Sequence, residues 1–107
     1  MLDDLAIDLH KVAVEKGFWP EPDAVDDIFI AKQCMMIVSE VTEVMEAVRK
    51  DKGEEEITKE FADIIIRTLD LYTGMVEAGY TRLSLDAMLA AKVDFNKTRP
   101  EKHGVRF

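Results

Sequence analysis

The stretch Ile30-Ala-Lys-Gln33-Cys34-Met35-Met36-Ile37-Val-Ser-Glu40-Val41-Thr-Glu43-Val44-Met-Glu46-Ala-Val48 decides the fold. Its apolar positions 30, 34, 37, 41, 44 and 48 recur at alternating spacings of four and three, which predicts one helix of roughly six turns. The helix runs from about Asp26 to Lys50, with Asp26 or Asp27 as its cap and Asp51-Lys52-Gly53 as its stop. That apolar stripe is expected to pack into the core. A second stripe beside it, through Phe29, Gln33, Met36, Glu40 and Glu43, mixes large apolar residues with an amide and two carboxylates.

Outward from this helix the same period repeats. Leu2, Leu5, Leu9, Val12 and Ala13 predict a first helix over 2–16, which Gly17-Phe18-Trp19-Pro20-Glu21-Pro22 interrupts. Ile57, Phe61, Ile64, Thr68, Leu71, Tyr72 and Met75 predict a third helix over 55–78, with Glu60, Asp63, Arg67 and Asp70 beside its stripe. Gly79 is its stop, and Ser84 caps a fourth helix through Leu85, Met88, Leu89, Lys92, Val93 and Asn96 that ends at Arg99-Pro100. Nothing reads as a strand. One hundred and seven residues suffice for a single core, so a compact, single-domain all-α four-helix bundle is expected, with helices two and three as its central hairpin.

Charge narrows the function. The chain carries 22 acids against 14 Lys and Arg, a net −8, which argues against attraction to duplex DNA or anionic membranes. No apolar run approaches the ~18 residues of a membrane span. A lone Cys34 and an opening Met1-Leu2-Asp3-Asp4 without a basic flank or apolar stretch fit the reducing cytoplasm. The sign reverses near the end, where 92–107 hold five cations against two anions while the preceding 91 residues hold nine against 20. A cationic segment of this kind either holds phosphates or lies as a clasp across the acidic body.

An antiparallel hairpin of helices two and three brings Glu40 and Glu43 opposite Glu60 and Asp63. Four carboxylates that close repel one another unless a cation intervenes, so their natural occupant is a hard divalent ion bound through oxygen. Mg²⁺ is the candidate, since it keeps waters and accepts phosphate oxygens. Counting acid pairs three apart does not decide the matter. Five occur, where this composition gives roughly four by chance, and a solvated acidic face is the competing explanation. Lys92 and Asn96 stand one turn apart and reach the same ligand. The Walker-type phosphate loop is missing, which argues against a P-loop ATPase or kinase.

At Glu40-Val-Thr-Glu43 and Glu60-Phe-Ala-Asp63, separated by sixteen residues, the chain resembles the MazG-like all-α nucleoside triphosphate pyrophosphohydrolases. The tail Asn96-Lys-Thr-Arg99-Pro100-Glu-Lys-His103-Gly104-Val-Arg-Phe107 resembles the ending of small single-domain members, and the likeness covers about residues 28–107. It implies Mg²⁺-dependent hydrolysis between the α and β phosphates, giving a monophosphate and pyrophosphate. Glu40, Glu43, Glu60 and Asp63 are then metal ligands, Glu40 activates water, and Lys92, Asn96 and Arg99 contact the triphosphate, with Lys102 a weaker candidate. It also implies a homodimer or homotetramer. Ala62, Ile66 and Leu69, which face away from the main stripe of helix three, agree with a second buried face. Trp19 is expected to stack on the base and Gln33 to bond its edge. Phe18, Cys34, Met35, Met36 and Tyr72 are expected to pack, Glu46 to be solvated and His103 to buttress the tail. A selective hydrolase of dUTP, dCTP or phosphoribosyl-ATP shares this architecture, and a non-catalytic helical adaptor is the rival of another class.

Overall fold

The computed structural model describes residues 1–100. They form α1 (Leu2–Glu15), a 3₁₀ turn (Pro22–Ala24), α2 (Asp27–Arg49), α3 (Glu54–Glu77) and α4 (Leu85–Thr98), with no strand among the described residues. The caps are those the sequence offers: the Asp26 carboxylate accepts from the Phe29 N–H at 2.8 Å, and the Ser84 hydroxyl from the Ala87 N–H at 3.1 Å. The α2–α3 turn needs the left-handed region twice, at Asp51 (φ 53°) and Gly53 (φ 93°). Glycine enters that region without steric cost and aspartate tolerates it better than most residues.

The central element is α3, which packs against α2 on one side and α1 on the other. That is why the stretch from Leu69 to Met75 is buried or half-buried throughout, with Leu69, Leu71, Thr73 and Gly74 buried. Leu69 therefore lies inside the chain, not on the outward face assigned to it; Ile66 and Ala62 do remain exposed. On α2 the inward face lies between the two stripes. Phe29, Gln33 and Met36 of the mixed stripe and Ile30, Ile37 and Val44 of the apolar one are half-buried and Glu40 and Ala47 buried, while Glu43 of the first and Cys34, Val41 and Val48 of the second stand in solvent with Met35. On α1 the inner face is Ala6, Leu9, His10 and Ala13, and Leu5 and Val12 are exposed. On α3, Phe61 and Thr68 are likewise exposed.

Compactness is the larger departure. Ala6, Ala47, Leu69 and Leu71 are the only apolar residues fully buried among those described, and the radius of gyration is 16.3 Å against about 13 Å for a compact domain of this length. The reason is α4, which packs chiefly on α1 and leaves Met88, Leu89, Val93 and Phe95 exposed. It is held by reciprocal capping. The Asp86 carboxylate accepts from the backbone N–H groups of Leu2 (2.8 Å) and Asp3 (3.0 Å) and from the Met1 amino group (2.9 Å). Asp3 in turn accepts from the Ser84 hydroxyl and from the N–H groups of Leu85 (2.9 Å) and Asp86 (3.3 Å). Each helix thus supplies the carboxylate that satisfies the other's orphan N-terminal donors. No described helix is long and apolar enough to cross a membrane.

Candidate metal centre

Glu40 on α2 and Glu60 and Asp63 on α3 meet across the hairpin. One oxygen from each lies within 4.8 Å of the others. In octahedral coordination at about 2.0–2.1 Å neighbouring oxygens stand about 2.9 Å apart and opposite ones about 4.2 Å, so these three would draw closer together to hold a hard cation. Glu40 is buried; its Oε1 accepts from Arg67 Nε at 2.8 Å, and its Oε2 has no hydrogen-bond donor. The Oε2 of Glu60 is also buried without a donor. Buried polar atoms are nearly always satisfied, so two carboxylate oxygens without donors in one place call for either a proton held between the acids or a bound cation. Glu43 is exposed and stands outside this trio, yet it acts on it: a hydrogen bond to Glu43, then burial and the charges of Glu43, Asp63 and Glu40, push the Glu60 carboxyl up to about 7. Glu40 moves the other way, its carboxyl held below the usual range first by the Arg67 guanidinium. Converging like charges are relieved either by a shared proton or by a cation.

A cavity of about 460 Å³ opens beside these groups. Glu40, Asp63, Arg67 and Asp70 form its polar wall, and Leu9, Val12, Ala13 and Ile66 its apolar one, with Lys16 and Phe18 at the loop end. Phe18 was expected in the core and is instead 70% exposed, because the turn after α1 carries it outward while Trp19 goes in. Trp19 is half-buried. Its Nε1 donates to Asp70 Oδ1 (3.0 Å) and Oδ2 (3.1 Å), its six-membered ring fills the space where a Cβ on Gly74 would stand, and its ring lies edge-on to His10 and 5.1 Å from Phe29. Gln33 is half-buried on the inner face of α2 and does not line the cavity.

Nor do the α4 residues reach it. Lys92, Asn96 and Arg99 are exposed, with Lys92 and Arg99 set 5.7 and 5.5 Å from the Phe95 ring centre. One chain therefore brings together the acidic part of the expected site and leaves the cationic part apart. Lys102 and His103 lie outside the described residues. Glu46 faces away, paired with Arg49 (2.8 Å) and Lys50 (3.3 Å).

Two features went unread in the sequence. Arg67 stands one turn after Asp63, and the spacing alone marks it only as a neighbour of the carboxylates. His10 is buried, with Nδ1 2.8 Å from Asp70 Oδ1 and Nε2 3.1 Å from Glu77 Oε2, so that α1 is clasped to α3. Its position between Ala6 and Ala13, small residues on one helical stripe, was the available signal. No family model, curated protein or solved structure matches the chain.

Proposed function

We propose that the protein is a Mg²⁺-dependent nucleoside triphosphate pyrophosphohydrolase that cleaves between the α and β phosphates. The observation that carries this is the pair of buried carboxylate oxygens, on Glu40 and Glu60, left without donors, with Glu40 and Asp63 in the wall of an open cavity. The motif resemblance to MazG-like enzymes supplies the reaction. Glu40, Glu60 and Asp63, with Glu43 at the rim, fit a hard cation by donor type and spacing. Bound there, Mg²⁺ would neutralise phosphate charge and acidify an attacking water. Glu40, kept anionic by Arg67, orients that water and receives its hydrogen bond. The apolar wall of the cavity and Phe18 offer a surface for the nucleoside. Trp19, whose indole N–H is spent on Asp70, serves this role indirectly by fixing the loop.

The separation of Lys92, Asn96 and Arg99 from the carboxylates, together with the exposed apolar side chains of α2 and α4, supports assembly into a homodimer or homotetramer in which one copy's α4 serves the neighbour's cavity. Incubation with a panel of common and modified nucleoside triphosphates and Mg²⁺, resolving pyrophosphate from orthophosphate, tests the assignment. Pyrophosphate is the expected product, and orthophosphate as the first product would exclude the bond. The same panel separates a broad enzyme from one selective for dUTP, dCTP or phosphoribosyl-ATP. Glu43→Ala and Asp63→Ala should each lower kcat by roughly 100-fold or more with helical circular dichroism retained; loss of the helical signal in both would assign them to the fold.

A further inference from the structure

Glu40 is the one ligand candidate that the fold encloses, its side chain 10% exposed against 38% for Arg67. A carboxylate buried purely to hold helices together would direct donors to both oxygens, because each unpaired one is costly. Here α3 furnishes a single donor, Arg67 Nε at 2.8 Å from Oε1, and Oε2 is left bare. Arg67 follows Asp63 by one turn, so the residue that holds Glu40 and a residue that would share its cation project from the same helix face.

We propose, on the basis of the metal-dependent assignment above, that Arg67 is the positioning residue of this site: by engaging Oε1 from α3 it fixes the Glu40 carboxylate so that Oε2 alone is presented to the cation between Glu40, Glu60 and Asp63. Arg67 itself touches neither cation nor reacting atoms in this role. Partners that orient a ligand from behind typically govern metal affinity by 10–100-fold.

Positioning and plain electrostatics differ in sign. Removing a cation from a chain of net charge −8 strengthens its attraction for a divalent ion, whereas removing the arm that orients Glu40 weakens it. The test is calorimetric titration of Mn²⁺, which shares the octahedral oxygen preference of Mg²⁺, into the full metal-free chain. Arg67→Met is expected to lose about 10–100-fold in Mn²⁺ affinity. Arg67→Lys, which keeps the charge without the planar fork, is expected to lose roughly 3–10-fold. Arg49→Met, which removes a cation paired with the outward-facing Glu46, should bind Mn²⁺ as tightly as wild type or slightly more so. Wild-type uptake with Arg67→Met binding as tightly or tighter would overturn the positioning role alone. Absence of uptake by the wild type would overturn the metal assignment and this role with it. Should Arg67→Met fail to fold by circular dichroism, Arg67→Lys decides: a threefold or greater loss supports the role, and an unchanged affinity defeats it.

Discussion

Trp19 shows how a side chain that suits a ligand contact in the sequence is held by partners far along the chain. In the sequence it is an aromatic in a proline-rich loop, a setting that suits base stacking. What claims it is Gly74, 55 positions later on α3, where the missing Cβ leaves a slot for the indole, and Asp70, which accepts its N–H. Gly74→Ala should force the ring out of that slot at a cost of about 1–3 kcal/mol, read by urea unfolding. As the only tryptophan, Trp19 should report the change itself, with emission moving to longer wavelength in the folded variant. No property of residues 17–22 reveals a slot so distant, and this is why residue roles were less legible than residue types. The four carboxylates were legible not from their spacing, which chance nearly supplies, but from their place beside the apolar stripes of two helices joined by a short turn. Their mutual placement followed from one turn at Gly53, and the bare oxygens did not, since satisfaction depends on every neighbour at once.

For elements, the mutual capping of α1 and α4 gives the clearest expectation. The Asp86 carboxyl is held down to about 2, against an ordinary 3.8, by the Asp3 N–H first and then by the Met1 amino group and the Leu2 N–H. A depressed carboxyl contributes stability that is complete above its unfolded value and disappears as pH falls through the folded one. The melting temperature should therefore decline between pH 4 and pH 2 more steeply in the wild type than in Asp86→Asn, when both are followed by circular dichroism. Asp3→Ala, which removes the acceptor for the start of α4, should cost about 1 kcal/mol at neutral pH by the same method. Helix limits were legible to within a residue because caps and stops act locally: Asp26, Ser84 and Gly53 do their work within one turn. The inward face was not legible. Period identifies an apolar stripe without saying what lies opposite it, and α2 carries two. The face that meets α3 takes residues from both and includes Glu40, whose partner Arg67 lies on another helix.

At the scale of the molecule, Val38, Val41, Met45 and Val48 on α2 and Met88, Leu89, Val93 and Phe95 on α4 are exposed, and the proposed assembly would cover them. Light scattering coupled to size exclusion should give at least twice the 12.2 kDa chain mass at micromolar concentration. Introducing Asp at both Val41 and Val48 should reduce it to the monomer value, because charges two turns apart on one face oppose its burial. A wild-type monomer at that concentration would remove the assembly from the proposal. The all-α class was legible from the regular 3.6-residue period. The open arrangement was not, because an apolar residue carries the same pattern whether its cover comes from its own chain or from a neighbour.

The capping of α4 at its first turn also makes it a lever. Fourteen residues extend about 21 Å from that pivot, so a tilt of roughly ten degrees at the Asp3–Asp86 joint displaces Arg99 by about 4 Å. Two aspartates at the opposite end of the rod thus set the reach of its basic tip, and a small adjustment of the joint is a route by which sequence change could retune that reach without touching either the tip or the acidic cluster.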